Sequence, residues 1–153
     1  MGSWSQRLTE LGVELPEVAA PAGVYVPAVR SGAQVFTSGQ VPFVRGALAA
    51  TGKVGAEVSP EQAKQHARTC ALNALAAVDA LVGIDAVVRV VKVVGFVASA
   101  EGFTGQPSVI NGASEFLGEV FGEAGKHARS AVGVAELPLG APVEVELIVE
   151  VAS

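Results

Sequence analysis

Between residues 143 and 151 the chain alternates almost without a break, with Val143, Val145, Leu147, Val149 and Val151 on one side and Glu144, Glu146 and Glu150 on the other. A period of two marks a strand with one buried face and one wetter face. Residues 131–135 are a shorter apolar run of the same kind, and Leu137-Pro138-Leu139-Gly140-Ala141-Pro142 supplies turn residues between the two, so the pattern predicts a C-terminal hairpin. Residues 87–98 are valine-rich on both faces, as expected of a strand covered from both sides. Toward the N-terminus, residues 24–30 and 34–38 predict two more strands, joined by the tight-turn dipeptide Ser31-Gly32. Residues 39–55, with Gly46, Gly52 and Gly55, read as loop.

Helical spacing appears in three places. Trp4, Leu8 and Leu11 with polar residues between them suit a short amphipathic helix within residues 4–15, limited by Gly12 and Pro16. Ser59-Pro60-Glu61-Gln62 combines a capping serine, a proline at the first helical position and a glutamine three residues on, which is a capping box. The helix it opens should run to about Val82 and stop at Gly83, with Ala63, Ala67, Cys70, Ala71, Ala74, Val78 and Leu81 as its inner stripe. A further helix is predicted from about Pro107 to Gly122, with Ile110, Ala113, Phe116, Leu117, Val120 and Phe121 facing inward. Hairpin, helix, strand, helix, hairpin predicts an α+β domain with one mixed sheet and two helices on one face. The other sheet face stays apolar, a problem usually solved by closed symmetry.

At 153 residues the chain suits one domain, divided here into an N-terminal extension (residues 1–18) and a main body (19–153). Half of the residues are hydrophobic and only 16% are charged, which implies surface hidden in an oligomer. A membrane is disfavoured, because no apolar run reaches the ~18–20 residues of a spanning helix; residues 86–100 come closest but are interrupted by Arg89, Lys92 and Gly95. Met1–Arg7 lacks the basic start and apolar core of a signal peptide, and the single cysteine, Cys70, fits a reducing, cytoplasmic setting. A net charge of −5 argues against a nucleic-acid partner, which calls for a basic stripe.

Two residues carry candidate chemistry. Arg129 stands at the entrance to one C-terminal strand and Glu144 near the start of the other, so a hairpin would draw them toward one region. Together they could hold a carboxylate and orient a water, or they could form a salt bridge on the sheet edge. His66 lies mid-helix and His127 precedes the key strand, but neither has the partners a metal site needs, and no cofactor motif is present. Cys70 on the helical stripe reads as a small buried hydrophobe.

The stretches Val35-Phe36-Thr37-Ser38-Gly39-Gln40-Val41-Pro42, Val109-Ile110-Asn111-Gly112 and Ala128-Arg129-Ser130-Ala131-Val132, with Leu137-Pro138 and Val143-Glu144-Val145-Glu146, resemble the RidA family, also called YjgF-like or endoribonuclease L-PSP. The likeness runs in order over about residues 19–152. It implies a chorismate-mutase-like fold and a homotrimer whose sheets form an inner barrel, with ligand clefts between subunits. The implied reaction is hydrolysis of 2-imino or enamine acids to 2-keto acids and ammonia. On this resemblance Arg129 binds the substrate carboxylate and Glu144 orients or activates the water. Tyr25 lines the cleft from a neighbouring subunit, and Ser38, Gly39, Asn111 and Ala131 complete the pocket. The family's cysteine after Arg-Ser is Ala131 here, and Gly-Pro-Tyr is Gly23-Val24-Tyr25, which points to a divergent subgroup. The alternative is a non-catalytic binder or sensor of small carboxylic acids on the same scaffold. Ribonuclease activity is the weakest of the three, given the acidic balance and the lack of a general acid–base histidine pair.

Overall fold

The structure, a computed structural model, describes residues 3–21 and 23–153; Met1 and Gly2 of the proposed extension lie outside the described residues. Helix α1 (Trp4–Glu10) is capped by Ser3 and closes at Leu11, where Gly12 takes a positive φ. Strands β1 (Ala28–Ser31) and β2 (Gln34–Thr37) follow as a hairpin, then the two-residue strands β3 (Phe43–Val44) and β4 (Ala47–Leu48). Helix α2 spans Pro60–Val82, strand β5 Val87–Ala98, helix α3 Gln106–Phe121, strand β6 Ala128–Val134 and strand β7 Val143–Val151. The capping box at Ser59 and Gln62 is formed in both directions, so α2 starts where the sequence says it should. No helix among the described residues is long and apolar enough to cross a membrane.

Five strands make one mixed sheet in the order β1-β2-β7-β5-β6, antiparallel throughout except for the parallel pair β5–β6. The expected C-terminal hairpin is therefore corrected: β6 and β7 run antiparallel but do not touch, because β5 lies between them. The reason is the route into β6. The chain leaves β5, forms α3 and returns parallel to β5, as a helical crossover requires; residues 135–142 then carry it past β5 to the far side. Two smaller expectations also shift. The first strand begins at Ala28 rather than residue 24, leaving Tyr25 in an exposed bend, and the loop of residues 39–55 contains the β3–β4 hairpin.

Both long helices pack on one face of the sheet. The odd positions of β7 are buried there with Val90, Val93 and Val97 of β5 and the apolar stripes of α2 and α3. Two close approaches fix α3. A side chain at Gly95 would collide with Ile110, and one at Gly112 would run into the backbone carbonyl of Lys64 on α2. Cys70 is fully buried in this layer with its Sγ 3.6 Å from the Val143 carbonyl, and burial pushes its thiol pKa well up, so it is a packing residue. Helix α1 docks on the same layer: Trp4 Nε1 donates to the Val87 carbonyl at 2.7 Å, and its ring meets Phe121 edge-on at 5.0 Å.

The opposite face is bare in the single chain. Val29, Phe36 and Val132 are 50%, 40% and 45% exposed there, beside half-buried Val94, Phe96 and Ile148 and the three glutamates of β7.

Candidate functional site

Register places Arg129 and Glu144 apart. Arg129 pairs with Val93 and Glu144 with Phe96, on either side of β5. Three residues along the strands and two strand spacings across correspond to roughly 14 Å between backbones. The side chains also diverge. Val93 and Gly95 face α3, so their parallel partners Arg129 and Ala131 do too, whereas Phe96 and Glu144 face the bare side. Within one chain the two groups cannot meet on one small molecule.

Arg129 is held by α3. Its Nη1 donates to Asn111 Oδ1 at 2.8 Å and to Ser114 Oγ at 3.2 Å, and Nη2 donates to the Pro107 carbonyl at 3.4 Å. Asn111 and Ser114 are three residues apart, so both reach the same side of the helix. All three partners are neutral, and the ion pairs among the described residues do not include Arg129. A guanidinium has five N–H donors; these three bonds leave Nε–H and one N–H on Nη2 available. The salt bridge on the sheet edge, left open by the sequence, is not formed.

Glu144 lies with Tyr25 in a second place, a cleft of about 170 Å³ whose walls include Pro27, Val41, Phe43 and Leu139. Gly39 is there because the carboxylate needs its space: a Cβ on Gly39 would stand 2.5 Å from Glu144 Oε2. Ser38 holds the Tyr25 segment against β2, donating from Oγ to the Val26 carbonyl at 2.6 Å and from its backbone N–H to the Pro27 carbonyl at 2.8 Å. On the other wall, Asn73 of α2 donates to the carbonyls of Val41 and Phe43 at 3.1 and 3.0 Å. Burial, and then the like charge of Glu146, raises the Glu144 carboxyl above its ordinary value. That direction makes its ionised form a better proton acceptor than a free carboxylate.

The predicted site residues thus form two clusters: Tyr25, Ser38, Gly39 and Glu144 around the cleft, and Arg129, Asn111 and Ala131 at the β6 edge. Sequence reading missed Ser114, although its spacing from Asn111 signals it. It also missed Leu139, which holds a left-handed backbone (φ 63°) at the cleft mouth. Such a conformation costs a residue with a Cβ roughly 1 kcal/mol or more. No group of three or more metal-ligating side chains occurs among the described residues.

Known proteins resemble the chain over nearly its whole length. The sequence profile described as "YjgF/chorismate mutase-like, putative endoribonuclease" matches residues 5–151. Protein TCP17 of Trypanosoma cruzi is 46% identical over 97% of this chain and 94% of its own length. The crystal structure of Atu1372 from Agrobacterium tumefaciens, described as of unknown function, superposes with a TM-score of 0.89 at 47% identity, over 97% of this chain and 92% of that one. TdcF of E. coli, solved with bound serine, gives a TM-score of 0.65 at 26% identity over 90% and 94% of the two chains. With nearly its whole length matched and its α+β fold shared, the chain belongs to the YjgF/chorismate mutase-like family, the group also called RidA or endoribonuclease L-PSP.

Proposed function

We propose that the protein hydrolyses 2-imino acids and their enamine tautomers to 2-keto acids and ammonia. It does so as a homotrimer in which each cleft joins the β6 edge of one protomer to the Glu144 cleft of the next. The observation that carries this reading is the Arg129 guanidinium: neutral oxygens fix it from one side, and it keeps two N–H donors and its full charge for an anion. A carboxylate matches such a fork. The serine bound to TdcF is itself an α-carboxylate, which agrees with that ligand class.

The chemistry then follows from the groups present. Arg129 holds the substrate carboxylate and so places C2 opposite the neighbour's Glu144. Ionised Glu144 takes a proton from water as the water oxygen adds to C2 of the protonated imine. The resulting carbinolamine nitrogen receives that proton, the C–N bond breaks as the hydroxyl becomes a carbonyl, and the hydroxyl proton goes to Glu144, which passes it to the departing ammonia. Ammonium and the 2-keto acid leave, and Glu144 is ionised again. No thiol takes part in this sequence. Ala131 turns its methyl toward the core, so replacement of the family's cysteine leaves the acid–base groups intact.

The test is ammonia release from 2-iminopropanoate generated in place by an amino-acid oxidase. Wild type should accelerate it, and Arg129→Ala should abolish the acceleration. Binding of pyruvate without any acceleration would instead establish a non-catalytic carboxylic-acid binder.

A further inference from the structure

The hydrogen bonds behind Arg129 continue beyond Ser114. Ser114 Oγ lies 2.9 Å from His127 Nε2, and His127 Nδ1 lies 2.6 Å from the carbonyl oxygen of Gly125. A carbonyl only accepts, so Nδ1 carries the hydrogen. In a neutral imidazole Nε2 is then an acceptor, and the one group beside it with a proton to give is the Ser114 hydroxyl. With its hydrogen committed to His127, Ser114 turns a lone pair toward Arg129 and accepts the Nη1 hydrogen at 3.2 Å. Every donor and acceptor in the series has a single assignment.

We infer that Ser114 and His127 are positioning residues for Arg129: His127 fixes the Ser114 hydroxyl, and Ser114 fixes Nη1 of the guanidinium. The inference rests on the reading of Arg129 given above and adds the device that aims it.

The other charged groups around the ring do not replace this arrangement. Glu123 and Lys126 are paired with each other at 2.9 Å. Arg89 of β5 reaches the Lys126 carbonyl at 3.5 Å, and Lys92 of β5 registers with Ala128, the next residue in the chain.

A split between KM and kcat separates this role from a merely structural one. In His127→Phe, which leaves the Ser114 hydroxyl without its acceptor, KM for 2-iminopropanoate and the dissociation constant for pyruvate should rise. Ser114→Ala should raise KM by about tenfold with kcat little changed, the size expected for one hydrogen bond to a charged group; Ser114→Thr, which keeps the hydroxyl, should restore it. The acid limb of kcat, which belongs to Glu144, should survive in all three variants. A Ser114→Ala loss confined to kcat, or a Ser114→Thr variant no better than Ser114→Ala, overturns the proposal.

Nitrogen-15 NMR of the imidazole judges the series even if the protein neither hydrolyses the imine nor binds pyruvate, an outcome that would sink the functional reading alone. It should show the Nδ1–H tautomer of the neutral ring. An Nε2–H tautomer refutes the series itself.

Discussion

Glu144 is held in its cleft at a cost to the fold. Its carboxyl is raised by burial and by the neighbouring charge of Glu146, so in the folded chain the ionised form is disfavoured. The linkage sign follows. The penalty is full above the raised folded-state pKa, shrinks as pH falls through it, and vanishes below the unfolded value, where both states are protonated. Glu144→Gln cannot ionise, so it should melt at a higher temperature than wild type at neutral pH, and the two melting curves should converge in acid. The same variant should lose hydrolysis yet keep pyruvate binding, because Arg129 is untouched. Equal melting temperatures at pH 7, or loss of binding along with turnover, would show that the carboxylate is neither strained nor separate from the anion site. Wild-type kcat should fall with acid through this raised pKa, since only the ionised carboxylate can accept a proton from water.

Among the elements, α2 and α3 were legible because their signals are local. Ser59 and Gln62 announce the start of α2, Gly83 its end, and the apolar stripes their buried faces. Strand order is different in kind. The runs that become β6 and β7 look like hairpin partners at short range, and nothing in residues 135–142 reveals that β5 is inserted between them. The candidate site shared that fate. Arg129, Asn111 and Ala131 were found and do gather, as do Tyr25, Ser38, Gly39 and Glu144, but the division into two clusters depends on sheet order and facing, which no short pattern encodes. Gly112 illustrates a packing constraint of the same non-local sort: its reason is a carbonyl on another helix. Removing the local signal, Ser59→Ala, should cost about 1 kcal/mol. Gly112→Ala should cost more, roughly 1–3 kcal/mol, because α3 must lift from Lys64 and carry Asn111 and Ser114 with it. Urea titrations measure both, and the KM of the imine reaction should rise in the glycine variant only. If Ser59→Ala proved the more damaging, the α2–α3 seam would not be the tight contact that aims Arg129.

At the level of the whole molecule, the opposed facing of Arg129 and Glu144 means that the proposed reaction would need a second protomer. The bare sheet face, with Val29, Phe36 and Val132 exposed, offers apolar surface for it. In a closed ring of three, each cleft would take Arg129 from one protomer and Glu144 from the next. Arg129→Ala and Glu144→Gln should each be inactive alone. When the two are unfolded together in equal amounts and refolded, three quarters of the trimers contain both chains. Each of those has one junction at which an intact Arg129 meets an intact Glu144. One junction in three, over three quarters of the particles, predicts recovery of about a quarter of wild-type activity under random closed assembly. Were the site contained in a single chain, every protomer in the mixture would still lack one group and no activity would return. Phe36→Glu should abolish the recovery by adding charge to the apolar face, and sedimentation should then show monomers with an unchanged circular dichroism spectrum. A mixture that stays dead while remaining trimeric would mean that the two clusters do not serve one substrate.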